Sequence, residues 1–445
     1  MARVTSEVAS ESDLGAAEWP LVPLGSILTP VAKSERRVQV RDDVTYTLLS
    51  AQLYARGITQ KDRVRGANLK TKTWFRVQRG DFLLLKIWAR RGSYGFVTQD
   101  YDNPIVSGDY PILELDRNRA DERFVAYFLS QADAWRALAS GAKGSTNRQR
   151  VHEREFLQLI EIPLPPLSEQ RAIAHVLRTV QRAKEATEAV IAATRELKKS
   201  LMWHLFTYGP VPVDQVAQVP LKETEIGPVP EHWEVVRLGE IADIVTGGTP
   251  SRSVREYWGG GIPWVKTGEV NYQRIMHTEE TITEEGLANS SARILPAGTL
   301  LMAMYGQGVT RGRVALLGIE AAINQACAAI QPRIPTSIEF LFQYFWHSYE
   351  RIRSLGHGAH QKNLSVTLLK TVLLPIPPVQ EQEAIAAILN AVDAKYEAEA
   401  RRSAALDALF NSLLHHLMTG KVRVGDPVSA GATTGLLGAS IQAEP

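Results

Sequence analysis

Positive charge gathers early in the chain. Arg56, Lys61, Arg63, Arg65, Lys70, Lys72, Arg76 and Arg79 follow one another closely, with Trp74 set among them. Guanidinium and ammonium groups laid along a surface neutralise phosphates, and an aromatic ring between them can stack on a base. From Val31 to Asp100 there are fifteen lysines or arginines against six acids. A solvated basic face without a ligand fits the same pattern. A second set of polar side chains follows later: Thr249, Ser251, Arg252, Tyr257, Trp258 and Lys266, then Tyr305, Gln307, Arg311 and Arg313, then Gln361, Lys362 and Asn363. This stretch, Pro230 to Val372, is neutral, with thirteen basic and thirteen acidic residues. Arg, Gln, Asn and Lys are the side chains able to bond guanine or adenine edges in a major groove. The small residues beside them also serve simply to make turns.

Residue patterns for covalent chemistry are missing. Gly141-Ala-Lys-Gly-Ser-Thr146 has the composition of a phosphate loop but not its Gly-Lys-Ser/Thr ending. No Gly-x-Gly-x-x-Gly follows a strand, no proline-aromatic motif of an adenine methyltransferase is present, and the ten histidines show no zinc spacing with cysteine. His415 and His416 fall at the end of a helical stretch, where capping or exposure accounts for them. Cys327 is the single cysteine and sits in the apolar run Ala326 to Ile330, so no internal disulfide can form, and burial as a small hydrophobe is expected. A reducing, cytoplasmic setting follows. No run approaches the roughly 20 apolar residues of a membrane span. Met1 to Gly15 lacks the layout of a secretory signal, and residues 1–18 read as a disordered leader. Formal net charge is +2, too small to name a partner.

The elements that must position these side chains are duplicated. Residues 162–177 (IPLPPLSEQRAIAHVL) align with 374–389 (LPIPPVQEQEAIAAIL) at a shift of 212, with nine of sixteen positions identical. The same shift carries Leu201, His204, Leu205 and Thr207 onto Leu413, His416, Leu417 and Thr419. Upstream, Trp19, Leu24, Gly25 and Ile27 match Trp233, Leu238, Gly239 and Ile241. Such a repeat is a duplicated module.

Each repeated segment opens with prolines (Pro163, Pro165, Pro166; Pro375, Pro377, Pro378), which cannot lie inside a helix, and then turns helical. Ser168 and Gln380 are the expected N-caps, followed by Glu169 and Glu381 at the positive end of the dipole. Apolar residues then fall on one seam. In the first segment these are Ile173, Leu177, Val180, Ile191, Leu201 and Leu205, broken by Lys184, Thr187, Thr194 and Lys198. In the second they are Ile385, Leu389, Val392, Tyr396, Leu406, Phe410, Leu413 and Leu417, broken by Glu399 and Ser403. Gly209 and Gly420 end the helices, giving about 38 to 40 residues and roughly 57 to 60 Å each. Burying both seams against each other, antiparallel about a pseudo-two-fold axis, is the simplest solution. Two amphipathic helices docked on separate domains is the alternative.

The expected organisation is a leader (1–18), a globular part (19–161), a helical segment (162–209), a linker (210–229), a second globular part (230–373), a second helical segment (374–421) and a disordered tail (422–445). β-type runs (Val44 to Leu49, Phe82 to Trp88, Thr299 to Met304, Val314 to Leu317) and one closing helix per part (Asp121 to Leu138, Ile338 to Leu355) make both parts α+β.

The doubled Pro-x-Pro-Pro-x-x-Glu-Gln-x-Ala-Ile-Ala string, at Pro163 to Ala174 and Pro375 to Ala386, resembles the specificity subunits of type I restriction-modification systems. Supporting strings are Trp233 to Gly248, Gly261-Ile-Pro-Trp-Val-Lys-Thr-Gly268 and Ala322-Ile-Asn-Gln325; the first globular part lacks the Thr-Gly-Gly-Thr-Pro and Ile-Pro-Trp strings. The resemblance implies two target-recognition domains reading a bipartite double-stranded DNA site, joined by two long helices forming an antiparallel coiled coil. It also implies two docked modification (methyltransferase) subunits bringing S-adenosylmethionine, and restriction subunits bringing ATP, Mg and cleavage, with no cofactor bound by this chain. Glu169, Gln170, Ile173, Glu381, Gln382 and Ile385 are the expected docking residues on the helices. If the helices set the spacing, four residues inserted after Ala193 lengthen the unread gap by about two base pairs, since they add roughly 6 Å. A self-contained DNA-modifying enzyme with an unfamiliar site, or a coiled-coil interaction scaffold, are the competing readings.

Overall fold

The structure is a computed structural model and describes residues 19–69, 73–140, 150–306, 309–355 and 363–424. The leader 1–18, most of the tail and the Gly141 to Thr146 string lie outside the described residues. The chain divides into two compact units, Met1–Ala186 with Ser403–Pro445, and Thr187–Arg402.

In the first unit a five-stranded sheet runs in the order Arg37–Val38, Trp74–Arg76, Pro104–Ser107, Thr45–Ala51, Ile58–Arg65. A four-stranded sheet runs Leu28–Pro30, Ile112–Leu115, Phe82–Leu84, Tyr94–Phe96. Phe82, Tyr94, Phe124 and Phe156 are fully buried, together with Leu24, Ile173, Leu177 and Leu417. The core therefore joins the sheet to the N-terminal half of the first long helix (Leu167–Tyr208) and the C-terminal end of the second (Val379–Met418). Lys184 pairs with Asp407, and Glu169 with Arg423 farther out, so the two helical stretches run in opposite directions within this unit.

The second unit repeats the scheme. Its five-stranded sheet is Ala242–Thr246, Cys327–Pro332, Leu300–Ala303, Val314–Leu317, Arg274–Ile275, and its four-stranded sheet is Glu280–Ile282, Trp258–Val265, Ala321–Ile323, Ile294–Leu295. Trp233, Phe340, Phe345, Leu374, Ile385 and Leu389 pack with Leu205 and Phe206 of the first long helix. Lys198 to Asp393 (2.6 Å) and Arg195 to Tyr396 (2.7 Å) again set opposite directions. Four of the six polar seam positions are interior: Thr187, Thr194, Lys198 and Glu399 are all under 9% exposed, while Lys184 and Ser403 are half-buried.

Several local expectations need correction. The long helices begin at Leu167 and Val379, so Ser168 and Gln380 lie inside the first turn and are not caps. The carbonyls of Pro166 and Pro378 instead accept the first helical N–H bonds, from Gln170 (3.0 Å) and Gln382 (3.1 Å). The helix expected over Asp121 to Leu138 is two, Glu122–Ser130 and Ala132–Ser140, because Gln131 adopts an extended conformation. Ile338 to Leu355 likewise divides at Ser348 into Ile338–His347 and Tyr349–Ser354. The run from Phe82 stops at Leu84, where the chain turns into Ala89–Arg91. Residues 210–229 carry a short helix, Val213–Gln218, and a strand, Leu221–Lys222.

Candidate nucleic-acid interface

The basic candidates of the first unit sit on its five-stranded sheet. Among the described residues Ile58–Arg65 is an edge strand, paired only with Thr45–Ala51, and Arg56, Lys61, Arg63 and Arg65 are exposed. Charge on an open edge blocks pairing with another sheet and leaves cations available to a ligand. Cross-strand partners share a face. Thr47 pairs with Arg63 and Thr45 with Arg65, which puts both arginines on the face of Phe75 and Val106. Arg76 pairs with Ile105, and Ile105 with Leu48, on the opposite face. The strip expected from sequence is thus divided between two faces. Trp74 is half-buried against Val38, Tyr46 and Ile105, so its ring is packing material and not an open stacking platform. Arg63 is tied to Asp102 at 3.1 Å and Arg79 to Asp100 at 3.4 Å. Lys70 and Lys72 lie outside the described residues.

Sequence reasoning missed the loop that joins these two strands. Tyr54 (φ 60°) and Ala55 (φ 52°) are consecutive left-handed residues. Such strain persists only where neighbours over-determine it. Here Tyr54 N–H donates to the Arg91 carbonyl (2.7 Å) and Ala55 N–H to that of Gly92 (2.8 Å). The result holds Tyr54 53% exposed beside the exposed Arg56. The Arg91 guanidinium lies 5.2 Å over the Trp88 ring.

In the second unit, Gly247 and Gly248 start the candidate loop. A Cβ on Gly247 would lie 1.7 Å from the Ile323 carbonyl oxygen, and one on Gly248 2.3 Å from Ser291 Oγ. Only glycine permits that approach. Gly248 N–H donates to Ile323 O (2.9 Å), and its own carbonyl accepts from Trp264 Nε1 (2.9 Å). The loop then carries Thr249, bonded to Gln325, Ser251, bonded to Ser253 at 2.8 Å, and Arg252. Arg252 Nη1 meets Glu280 Oε2 at 2.5 Å, and its guanidinium sits 3.7 Å over Trp258. Lys266 reaches Glu279 (2.5 Å) and Glu280 (3.2 Å). The Glu280 carboxyl is held below the usual range, first by the Arg252 hydrogen bond, against a smaller opposing effect of burial. The acids were missed because only donors were sought.

The remaining candidates divide. Tyr257 is half-buried, and its carbonyl accepts Thr283 N–H at 3.0 Å. Tyr305 is 41% exposed and follows Leu300–Ala303, a strand of the five-stranded sheet, whereas Trp258, Lys266 and Glu280 come from or next to strands of the four-stranded one. Arg311 is 8% exposed, so its guanidinium is an interior group and not a groove-reading one. Gln307, Gln361 and Lys362 lie outside the described residues. Asn324 bonds Thr267 (2.8 Å) and Val265 O (3.1 Å). The Ala322 to Gln325 string therefore laces strands together.

Five of the six helix residues expected to dock a partner are interior and need correction, and Glu381 is half-buried. Gln170, Ile173, Gln382 and Ile385 are 0% exposed and Glu169 8%. Gln170 donates to the carbonyls of Pro165 (2.8 Å) and Arg119 (2.9 Å) and accepts from Asp121 N–H (2.8 Å). Gln382 repeats this with Pro377 (2.8 Å), Ser337 N–H (2.9 Å) and Thr336 Oγ1 (2.7 Å). Asp121 and Ser337 are N-caps, so each glutamine fastens a long helix to the helix closing its globular part. Glu381 accepts from Trp233 Nε1 (2.9 Å) and contacts His232 (2.8 Å). A buried amide in place of a docking contact is what the repeated Glu-Gln encodes.

Cys327 is buried and its thiol pushed up to about 12 by desolvation. Among the described residues no cluster of His, Cys, Asp or Glu is arranged to hold a metal, and no helix is long and apolar enough to cross a membrane.

Comparison with known proteins follows the same lines. Residues 42–193 and 230–408 match the family described as type I restriction modification DNA specificity domain. The chain is 26% identical over 420 residues to the type I restriction enzyme MjaVIII specificity subunit of Methanocaldococcus jannaschii, covering 92% of this chain and 93% of that one. It is 32% identical over 193 residues to the MjaIX specificity subunit of the same organism, covering 42% and 44%. Among solved structures, the S subunit of a type I restriction-modification system from M. genitalium superposes with a TM-score of 0.58 at 16% identity, over 91% of this chain and 97% of that one. A chain from a structure of the type I R-M system gives 0.53 at 18%, over 91% and 99%. These similarities establish a shared fold.

Proposed function

The chain belongs to the type I restriction-modification DNA specificity family, and from that premise we propose that it is a non-catalytic subunit whose two units each read one part of a bipartite double-stranded DNA site. The observation that carries this reading is a common frame with unlike surfaces. Both units use the same Trp, Glu and Gln anchor. One then offers a basic edge strand and the other a charge-balanced cluster around Arg252. A duplicated frame carrying different surfaces suits two unequal half-sites. The long helices serve as a coiled-coil spacer, with two modification subunits docking on equivalent outward positions. Leu197 and Leu409, related by the 212-residue shift, support this: they are 52% and 46% exposed. S-adenosylmethionine, ATP and Mg belong to the modification and restriction subunits, and the complex works in the cytoplasm.

The test is methylome sequencing of a host expressing this chain with its modification subunit. A bipartite methylated-adenine motif that disappears without this chain is expected. Methylation by this chain alone with S-adenosylmethionine would overturn the non-catalytic assignment, and a motif in one contiguous block the bipartite one.

A further inference from the structure

We propose that Arg252 reads a guanine in the half-site of the second unit, and that Glu280 and Trp258 hold its guanidinium flat for that contact. The proposal rests on the reading of the second unit as a DNA-binding unit and goes further by naming the base.

Trp264 is 2% exposed and fixed through its Nε1 to Gly248 O at 2.9 Å. The Trp258 ring meets it edge-on, 5.1 Å between centroids at 88°, and donates its own Nε1 to Ser251 O at 3.1 Å. The Arg252 guanidinium then lies on Trp258 at 3.7 Å, and Glu280 takes one of its Nη1 hydrogens at 2.5 Å. Glu280 is held in turn, its other oxygen contacting Lys266 at 3.2 Å. An arginine normally gives up about 2 kcal/mol of rotamer freedom when it is fixed. In this case much of that cost is met before any ligand arrives, while the side chain remains 55% exposed.

What such a group would bind follows from charge. Arg252 and Lys266 are matched by Glu279 and Glu280, so the cluster is neutral, with the Glu280 carboxylate on the guanidinium and Glu279 on Lys266. A phosphate gains little from a neutral cluster and is repelled by its acids. A guanine edge offers two neutral acceptors, O6 and N7, which suit the parallel N–H pair of a planar guanidinium; adenine replaces one of them with a donor. Lysine lacks the planar fork.

The experiment uses the full complex with its modification subunit and a set of duplexes varied one base pair at a time across both half-sites. For Arg252→Lys the expected result is a loss of about 10- to 100-fold in discrimination at a single G·C pair of the second half-site, the scale of one bidentate contact. Discrimination across the first half-site stays unchanged. Glu280→Gln weakens discrimination at that same pair, which a purely structural role would not single out. The inference is overturned if Arg252→Lys reads every position as the parent does, if the affected pair is A·T, if both half-sites lose discrimination together, or if binding falls alike on all sequences with a smaller salt slope, the mark of a phosphate contact. A parent complex without salt-sensitive DNA binding would instead remove the broader reading, and this one with it.

Discussion

The indole N–H of Trp233 donates to Glu381 Oε2 at 2.9 Å, and Trp19 makes the corresponding bond to Glu169 at 3.3 Å. Trp233 is fully buried, so its N–H has no route to water. Glu381→Ala is expected to destabilise the second unit by about 1–3 kcal/mol, the cost of an orphaned buried donor, while Glu381→Gln, which keeps an acceptor, costs well under that. The repeats differ in one respect. Arg423 binds both oxygens of Glu169, at 2.6 and 2.8 Å, so Glu169→Gln is the more damaging of the two amide substitutions. Urea denaturation of the three variants measures the order, and equal effects of Gln at both positions would refute it.

Lys198 is 8% exposed, and burial lowers its pKa from 10.5 to about 8 against the opposing pull of Asp393. Between those values the unfolded chain holds the proton and the folded chain has released it. Stability from this residue therefore rises as pH goes from about 8 to about 10.5 and is flat below. The difference in urea midpoint between the parent and Lys198→Met should change across that window and be constant from pH 6 to 7.5. A difference that stays constant to pH 10.5 would show that the ammonium is not desolvated.

Much of this frame was legible from the sequence. Proline, the Glu-Gln pair and the aliphatic spacing recur at one shift, and recurrence reports packing that must be made twice. Gln170 and Gln382 show the limit. A polar residue on a helix reads as surface until its partners are known, and here those are N-caps far away in the chain, Asp121 and Ser337. The same limit hid the site chemistry. Composition around Arg252 named a cation but not the Glu280 carboxylate, which reaches it only because Trp264 pairs with Glu280 across two strands. Charge spacing along Ile58–Arg65 could not say how Lys61 faces relative to Arg63 and Arg65, since the bulge between the Leu48 and Leu49 pairings falls at Lys61 and shifts the register there.

Gly247 has no room for a side chain. Its Cβ would sit 1.7 Å from a backbone oxygen of Ile323, and the adjoining Gly248 N–H is bonded to that same oxygen at 2.9 Å, so neither strand can retreat. Gly247→Ala should destabilise the second unit by more than the ~1–3 kcal/mol of ordinary overpacking. Gly261→Ala, with nothing within 4 Å of its added carbon, is the matched control and should be tolerated. Similar melting of both variants would mean that the loop is looser than its contacts indicate.

The divided basic strip predicts which face of the first unit meets phosphate. Arg65 lies exposed on the edge strand and Lys61 exposed at its bulge, continuous with the rigid loop that carries Tyr54 and Arg56, whereas Arg76 points from the face opposite Arg65. A duplex laid along the edge and the loop can touch the first group without reaching the other. In the assembled complex, Lys61→Ala and Arg65→Ala should each reduce the slope of log K against log salt by about 0.9, with affinity falling alike on cognate and unrelated duplexes. Arg76→Ala should leave the slope unchanged. Fluorescence anisotropy between 50 and 200 mM salt, about the range over which phosphate contacts dominate, resolves one such contact. The reverse pattern, a slope lost with Arg76 and kept without Lys61 and Arg65, would place the DNA on the other face of the sheet and remove the edge strand from the interface.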